Sequence, residues 1–277
     1  MIGQQISKNN FFPIIIIRYI IGAIKFPLFV VLFMVLLLCY QITFFIPLQV
    51  YKNCFRRIFS YFTTKVMLIL LGYGKIHQKL SSTEIFGENG DFFDANPGDI
   101  IISNMNSYIN LIWLQFEFRP IFVIPINKDQ YIIKSFFGIF IDHIGLRDSS
   151  NGNVSSWDDV LIHSKNNQGP IIVFPEKRPS NGVSLREFVD LPIEEWHRSR
   201  TVHMIGFHHE VEGLSPCFVQ GDGLLHLMQM LGRINSQMTV YMIDPSDTLK
   251  CRNSNDLRTL LNQTIDTYDE QKNIHMD

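Results

Sequence analysis

Between Phe26 and Leu48 the chain runs for 23 residues without a charge, 19 of them apolar, with Gln41 and Thr43 the clear polar exceptions. As a helix, such a run is about 34 Å long and matches a hydrocarbon core of roughly 30 Å. A soluble core helix seldom runs that far without one charge, so the segment predicts membrane residence. It exceeds the roughly 7–15-residue core of a cleavable signal and lacks a small-x-small exit. Pro27 fits a first helical turn and Pro47 the far end.

Charge sharpens this picture. No Asp or Glu precedes Glu84, and the first 83 residues carry nine Lys/Arg, against 15 basic and 26 acidic residues after them. Residues 1–83 therefore read as a basic membrane-anchoring head and 84–277 as an acidic body. A shorter apolar piece, Phe11 to Ile24, precedes the long one. The basic flanks are nearly balanced, with Lys8, Arg18 and Lys25 before and Lys52, Arg56, Arg57 and Lys65 after. A spanning helix and a hairpin with both ends cytosolic both satisfy them. Phe55 to Leu71 mixes cations with Phe59, Phe62, Met67 and Leu71, as an interfacial helix does. The whole-chain charge of −2 argues against a nucleic-acid partner. Cys39, Cys54, Cys217 and Cys251 show no C-x-x-C spacing, so neither a disulfide framework nor a zinc site is read from them. Sequons at Asn153 and Asn262 matter only if the body is lumenal.

Past residue 90 short apolar runs alternate with helical stretches. Asp99–Ser103, Ile121–Ile124, Ile171–Phe174, Thr201–Phe207 and Met238–Ile243 read as strands. The stretch through Ile109–Phe116, Tyr131–Ile141 and the segment after Ser155 read as helices. This predicts an α/β fold with a mixed, largely parallel sheet flanked by helices, whose ligands gather at the carboxyl ends of the strands.

Two segments at those ends carry a family resemblance. Ile101-Ile-Ser-Asn-Met-Asn-Ser-Tyr-Ile-Asn110 resembles the first block of the glycerolipid acyltransferases of the lysophosphatidic acid type. Phe174-Pro-Glu-Lys-Arg-Pro-Ser-Asn-Gly182 resembles their Phe-Pro-Glu-Gly block, which helps hold the acceptor phosphate. Gly138 and Ile144-Gly-Leu-Arg147 are similar to the middle block. The head, and the tail ending in Tyr241-Met-Ile-Asp-Pro245, resemble a fungal branch that uses lysophosphatidate and oleoyl-CoA and is linked to vacuolar sorting.

The resemblance implies a membrane-bound enzyme that takes acyl-CoA as co-substrate, needs no cofactor or metal, and acylates lysophosphatidic acid or a similar anionic lysolipid. Its place would be the endoplasmic reticulum membrane or lipid droplets, with the body cytosolic. In the family a His deprotonates the acceptor hydroxyl and an Asp orients it, but here Met105 and Asn110 stand at those positions. A thioether has no basic nitrogen. Lys177 replaces a Gly. Glu176 remains as a catalytic candidate, with Ser107, Arg147, Lys177, Arg178, Ser180, Asn181 and Gly182 as substrate-binding candidates. His143 becomes a replacement base only if its helix faces the site, and otherwise reads as a partly buried histidine. His208-His209-Glu210 looks like a metal cluster, but neighbours on a strand point to opposite faces. The alternative is a non-catalytic lipid-binding or scaffold protein of the same fold.

Overall fold

The computed structural model of the chain describes residues 8–46, 49–81, 86–87, 95–146, 152–167, 169–176, 179–180, 182, 184–210, 215–217 and 222–274. Two helices, α1 (Lys8–Ile42) and α2 (Gln49–Leu70), lead into strands β1 (His77–Ser81) and β2 (Phe86–Gly87). Then follow β3 (Ile100–Ser103), α3 (Tyr108–Glu117), β4 (Ile121–Pro125), β5 (Tyr131–Lys134) and α4 (Phe136–His143). After them come β6 (Val154–Ser155), α5 (Trp157–Asn167), β7 (Ile171–Val173), α6 (Ile193–Ser199) and β8 (Val202–His209). The chain closes with α7 (Gly223–Leu231), β9 (Met238–Ile243), α8 (Pro245–Thr248) and α9 (Ser254–Ile274).

The strands form one mixed sheet in the order β2-β1-β9-β8-β3-β7-β4-β5-β6. Its centre, β8-β3-β7-β4, is parallel, with β3 flanked by β8 and β7 in register Ile102 to Met204 and Val173. A parallel block covered on both faces needs apolar residues at every position, which explains the unbroken Ile-Ile-Ile and Ile-Ile-Val runs. Alternation still sorts them. Ile101, Phe122, Ile172 and Phe174 pack with α1, α2, α3, α4 and α7, while Ile100, Ile102, Val123 and Val173 pack with α5, α6 and α9. The body is thus helices on both faces of one sheet, as the alternating pattern predicts.

Two readings need correction. Tyr131–Ile141, expected as one helix, is strand β5 followed by α4, split at Ser135, whose Oγ accepts the Gly138 N–H as an N-cap. Pro27 lies well inside a single 35-residue helix rather than in a first turn. Strand β1, within residues 1–83, pairs in parallel with β9.

Helix α1 does not stand free of the body. Gly22 leaves room for the Met228 carbonyl, 2.2 Å from where a Cβ would sit, and Gly232 does the same for the Arg18 carbonyl at 2.1 Å. Further along, Phe33 meets Phe136, Phe137 and Phe140 with ring centroids 5.1–6.4 Å apart. Lys25 Nζ donates to the Leu70 and Arg233 carbonyls, 3.1 and 2.9 Å away. From Gly22 to Tyr40, about 27 Å of helix, one side of α1 is committed to the body. The other side, including Ile20, Ile24, Leu28, Val31, Met34 and Leu38, is exposed and apolar. Ile16–Ile42 is long and apolar enough to cross a membrane.

Candidate functional site

The carboxyl ends of β3, β7 and β8 are laced together by the first block. Asn104 Oδ1 accepts the Phe207 N–H at 2.9 Å and its Nδ2 donates to the Phe207 carbonyl at 3.2 Å, extending the β3–β8 ladder through a side chain. Asn106 Nδ2 adds a longer contact to the same carbonyl, 3.4 Å. Ser107 starts α3: its Oγ accepts the Ile109 N–H and donates to the Pro216 carbonyl at 2.8 Å. Asn110, one turn in, donates to Asn106 Oδ1 at 2.5 Å.

The second block closes onto the first through Glu176. Its Oε2 accepts the Met105 N–H at 2.9 Å and its Oε1 the Arg186 N–H at 2.8 Å. The Ser180 N–H donates to the Met105 carbonyl at 2.9 Å, so Met105 is held at both backbone ends. Burial pushes the Glu176 carboxyl above its usual range, against the pull of the Met105 and Arg186 N–H groups, the Arg186 charge and the Ser180 hydroxyl. Gly182 has φ +77°, and a Cβ there would lie 2.3 Å from Cys217 Sγ, so glycine is required on two counts. Burial raises the Cys217 thiol to about 11, so it stays neutral.

The structure therefore brings Met105, Ser107, Asn110, Glu176 and Ser180 together through hydrogen bonds at the strand ends, with Gly182 packed beside them against Cys217. The expectations placed on Arg147, Lys177, Arg178 and Asn181 lie outside the described residues. The Glu176 carboxylate acts on backbone N–H groups, which makes it a positioning residue that couples the two blocks. Met105, 4% exposed, points into the core cluster with Tyr108 and Phe174. Met105→Ala is accordingly expected to remove about 2–4 kcal/mol of stability, read from urea denaturation; an unchanged midpoint would place the thioether outside the core.

The residue missed from sequence is His209. Its Nε2 lies 2.7 Å from Asn110 Oδ1 and its Nδ1 3.4 Å from the Tyr73 hydroxyl. With Asn110 Oδ1 as acceptor the ring proton sits on Nε2, leaving Nδ1 to accept from Tyr73. Burial first, then the His208 and Arg233 charges, holds His209 near 3. The position that carries Asp in the resembled family thus does hold an imidazole here, but one from β8. Period-two counting from the buried Ile205 and Phe207 puts His209 on the same sheet face; the pairing with Asn110 across 99 residues has no local signal.

His143 lies beside Tyr108, ring centroids 6.1 Å apart, with both nitrogens buried and lacking a hydrogen-bond partner among the described residues. Burial, with a smaller push from His226, holds it near 3. His226 Nε2 donates to the Ser215 carbonyl at 2.9 Å, so its Nδ1 accepts from Tyr108 at 3.2 Å. Between the blocks, a cleft of only about 20 Å³ is lined by Asn104, Asn106, Ser180 and Gly182, room for roughly one water. No group of metal-ligating side chains forms among the described residues.

No protein-family model matches the chain, and no curated protein does. Among solved structures, it is similar to the 1-acyl-sn-glycerophosphate (LPA) acyltransferase PlsC from Thermotoga maritima, with TM-score 0.46 and 12% identity over 93% of this chain and 96% of that one.

Proposed function

We propose that this chain is a membrane-surface acyltransferase that moves a fatty acyl group from acyl-CoA to lysophosphatidic acid, giving phosphatidic acid. The observation that carries the reading is the convergence of the two resembling blocks. They are far apart in sequence, yet Glu176 bonds Met105 and both meet at the strand ends where α/β folds bind ligands. The apolar outer side of α1 supplies the bilayer contact. The body would face the cytosol, at the endoplasmic reticulum or a lipid droplet, where acyl-CoA is available; no cofactor enters beyond that co-substrate.

In the transfer, the acceptor hydroxyl oxygen attacks the thioester carbonyl. The C–O bond forms, the C–S bond breaks, and the hydroxyl proton ends on the departing CoA thiolate. Met105 cannot carry that proton. Loss of a general base lowers rates by about 10²–10⁴, while positioning of the two substrates persists. Turnover slower than that of a His/Asp enzyme is therefore expected.

A second reading, a non-catalytic binder of anionic lipid, is favoured by one observation. The imidazoles nearest the site, His143, His209 and His226, are enclosed or hydrogen-bonded within the fold. The deciding test is conversion of labelled oleoyl-CoA and lysophosphatidate by the full chain reconstituted in vesicles. Phosphatidic acid above the protein-free rate supports the transferase; its absence from folded, inserted protein hands the site to the binder.

A further inference from the structure

A second cleft, about 580 Å³, opens at the other end of the sheet, where β4 begins at Ile121 and β5 ends at Lys134. Helix α3 connects the two places. Ser107 caps it at the strand-end site, and Arg119 follows its last turn at the cleft, about 18 Å away along the axis. Four cations line this cleft: Arg56, Arg57, Arg119 and Lys134. Lys134 is ion-paired with Asp142. Among the described residues, none of the three guanidiniums has a carboxylate in ion-pair contact. Glu117 is felt at Arg119 only at longer range.

The Arg56 guanidinium is held in place, and so is the backbone that carries Arg119. Arg56 Nε donates to Thr43 Oγ1 at 2.8 Å, and its guanidinium lies 5.1 Å from the centroid of the Tyr40 ring. Arg119 occupies the left-handed region at φ +49°, just past the Phe118 C-cap, where glycine is the residue of least strain. That turn is fixed from behind, because Gly169 packs so closely that a Cβ would lie 2.5 Å from the Arg119 carbonyl. Burial, and then the Arg57 charge, lower the Arg119 pKa, as expected for two cations facing one space. A half-buried arginine beside a like charge is a ground state that an anion relieves.

We infer that this cleft binds the phosphate of an anionic lipid headgroup, at a site separate from the strand ends where the acyl transfer is placed. The lipid is preferred to a free phosphate because of what surrounds the cleft. The turn between α1 and α2, whose Thr43 accepts from Arg56, carries Phe45, 82% exposed, and Ile121, Ile133, Phe136 and Phe137 line the cleft beside the cations. Acyl chains would lie along this apolar border while the phosphate sits among the guanidiniums. The inference does not depend on the chain being a transferase.

The test uses the full chain in detergent, titrated with dihexanoyl phosphatidic acid, dihexanoyl phosphatidylcholine and inorganic phosphate, with binding read by thermal shift. The double variant Arg57→Gln/Arg119→Gly removes two charges and relieves the left-handed strain, so it folds at least as well. At about fivefold per cation, its apparent affinity for phosphatidic acid is expected to fall about 25-fold. Arg198→Gln, which removes an exposed cation from α6, should change it less than twofold. Phosphatidylcholine and inorganic phosphate should give no shift that the double variant abolishes. Unchanged phosphatidic acid binding in the double variant overturns the site. An equal loss in Arg198→Gln reduces it to diffuse attraction, and a variant-sensitive shift with inorganic phosphate overturns the lipid assignment. Retention of this binding in Glu176→Gln separates it from the acyl-transfer site.

Discussion

Replacing Glu176 by alanine is expected to destabilise the chain by about 2–6 kcal/mol, and by glutamine by about 1–3 kcal/mol, at 1–3 kcal/mol for each buried donor left unpaired. The carboxylate accepts from two backbone N–H groups, those of Met105 and Arg186, at 2.9 and 2.8 Å. Alanine strands both. Glutamine keeps one acceptor oxygen and turns an amide NH₂ toward the other donor. Hydrogen exchange gives the local readout. The Met105 and Arg186 amides should lose protection before the amides of β3 and β7 do, because the loops uncouple while the ladder between them stays. Equal loss across the whole sheet would mean that Glu176 supports the core generally rather than joining two loops. Acyl transfer should fall with the loop coupling, since the blocks then no longer hold a common geometry.

Acidification is the second large effect. His143 and His209 are held near 3, against about 6.5 in the unfolded chain. Below pH 6.5 the unfolded state binds protons that the native state refuses, so stability falls as pH falls, by about 1.4 kcal/mol per unit for each histidine. Between pH 6.5, where the unfolded rings are already half protonated, and pH 5 the pair removes about 3 kcal/mol, a drop of about 6–12 °C in melting temperature for a body of this size. Burial lowers His203 and His226 as well, which adds in the same direction. The raised Glu176 carboxyl runs the other way, because the native state there takes up its proton first. His143→Leu should remove about half the slope contributed by the pair and raise stability at pH 7, since both ring nitrogens are buried without partners among the described residues. A melting temperature flat between pH 6.5 and 5 would show that both rings can reach water.

Much of this architecture is legible in the sequence because its signals are local. The centre of a doubly covered sheet demands apolar runs, and Ile100–Ser103, Ile171–Val173 and Met238–Ile243 stand where those runs occur. The split of Tyr131–Ile141 has a weaker signal, since β5 and α4 are both apolar and only the Ser135 cap parts them. In the head, the uncharged run reveals the helix but not its lie. That α1 rests along the body depends on Gly22 meeting Met228 and Phe33 meeting Phe136, Phe137 and Phe140, contacts made across the chain. The candidate site divides in the same way. Asn104, Ser107 and Glu176 stand out as blocks, whereas the roles of Arg186 and His209 arise from pairings 10 and 99 residues apart.

The claim that the joined blocks form an acyl-transfer site meets its most direct test in the double variant Met105→His/Asn110→Asp, assayed with oleoyl-CoA and lysophosphatidate beside the native sequence and Glu176→Gln. An aspartate at 110 keeps an oxygen for His209 Nε2, and rotation of the Asn106 amide restores a donor to the other. The variant puts an imidazole and a carboxylate at the two resembling positions on a backbone already held by Glu176, and the carboxylate is there to draw the ring out of the core cluster that the Met105 side chain occupies. The account expects phosphatidic acid formation to rise at least tenfold over the native chain, and the native chain to exceed Glu176→Gln. If all three proteins fold, insert and remain equally inert, the strand-end site is not one of acyl transfer, and the lipid-binding reading replaces it.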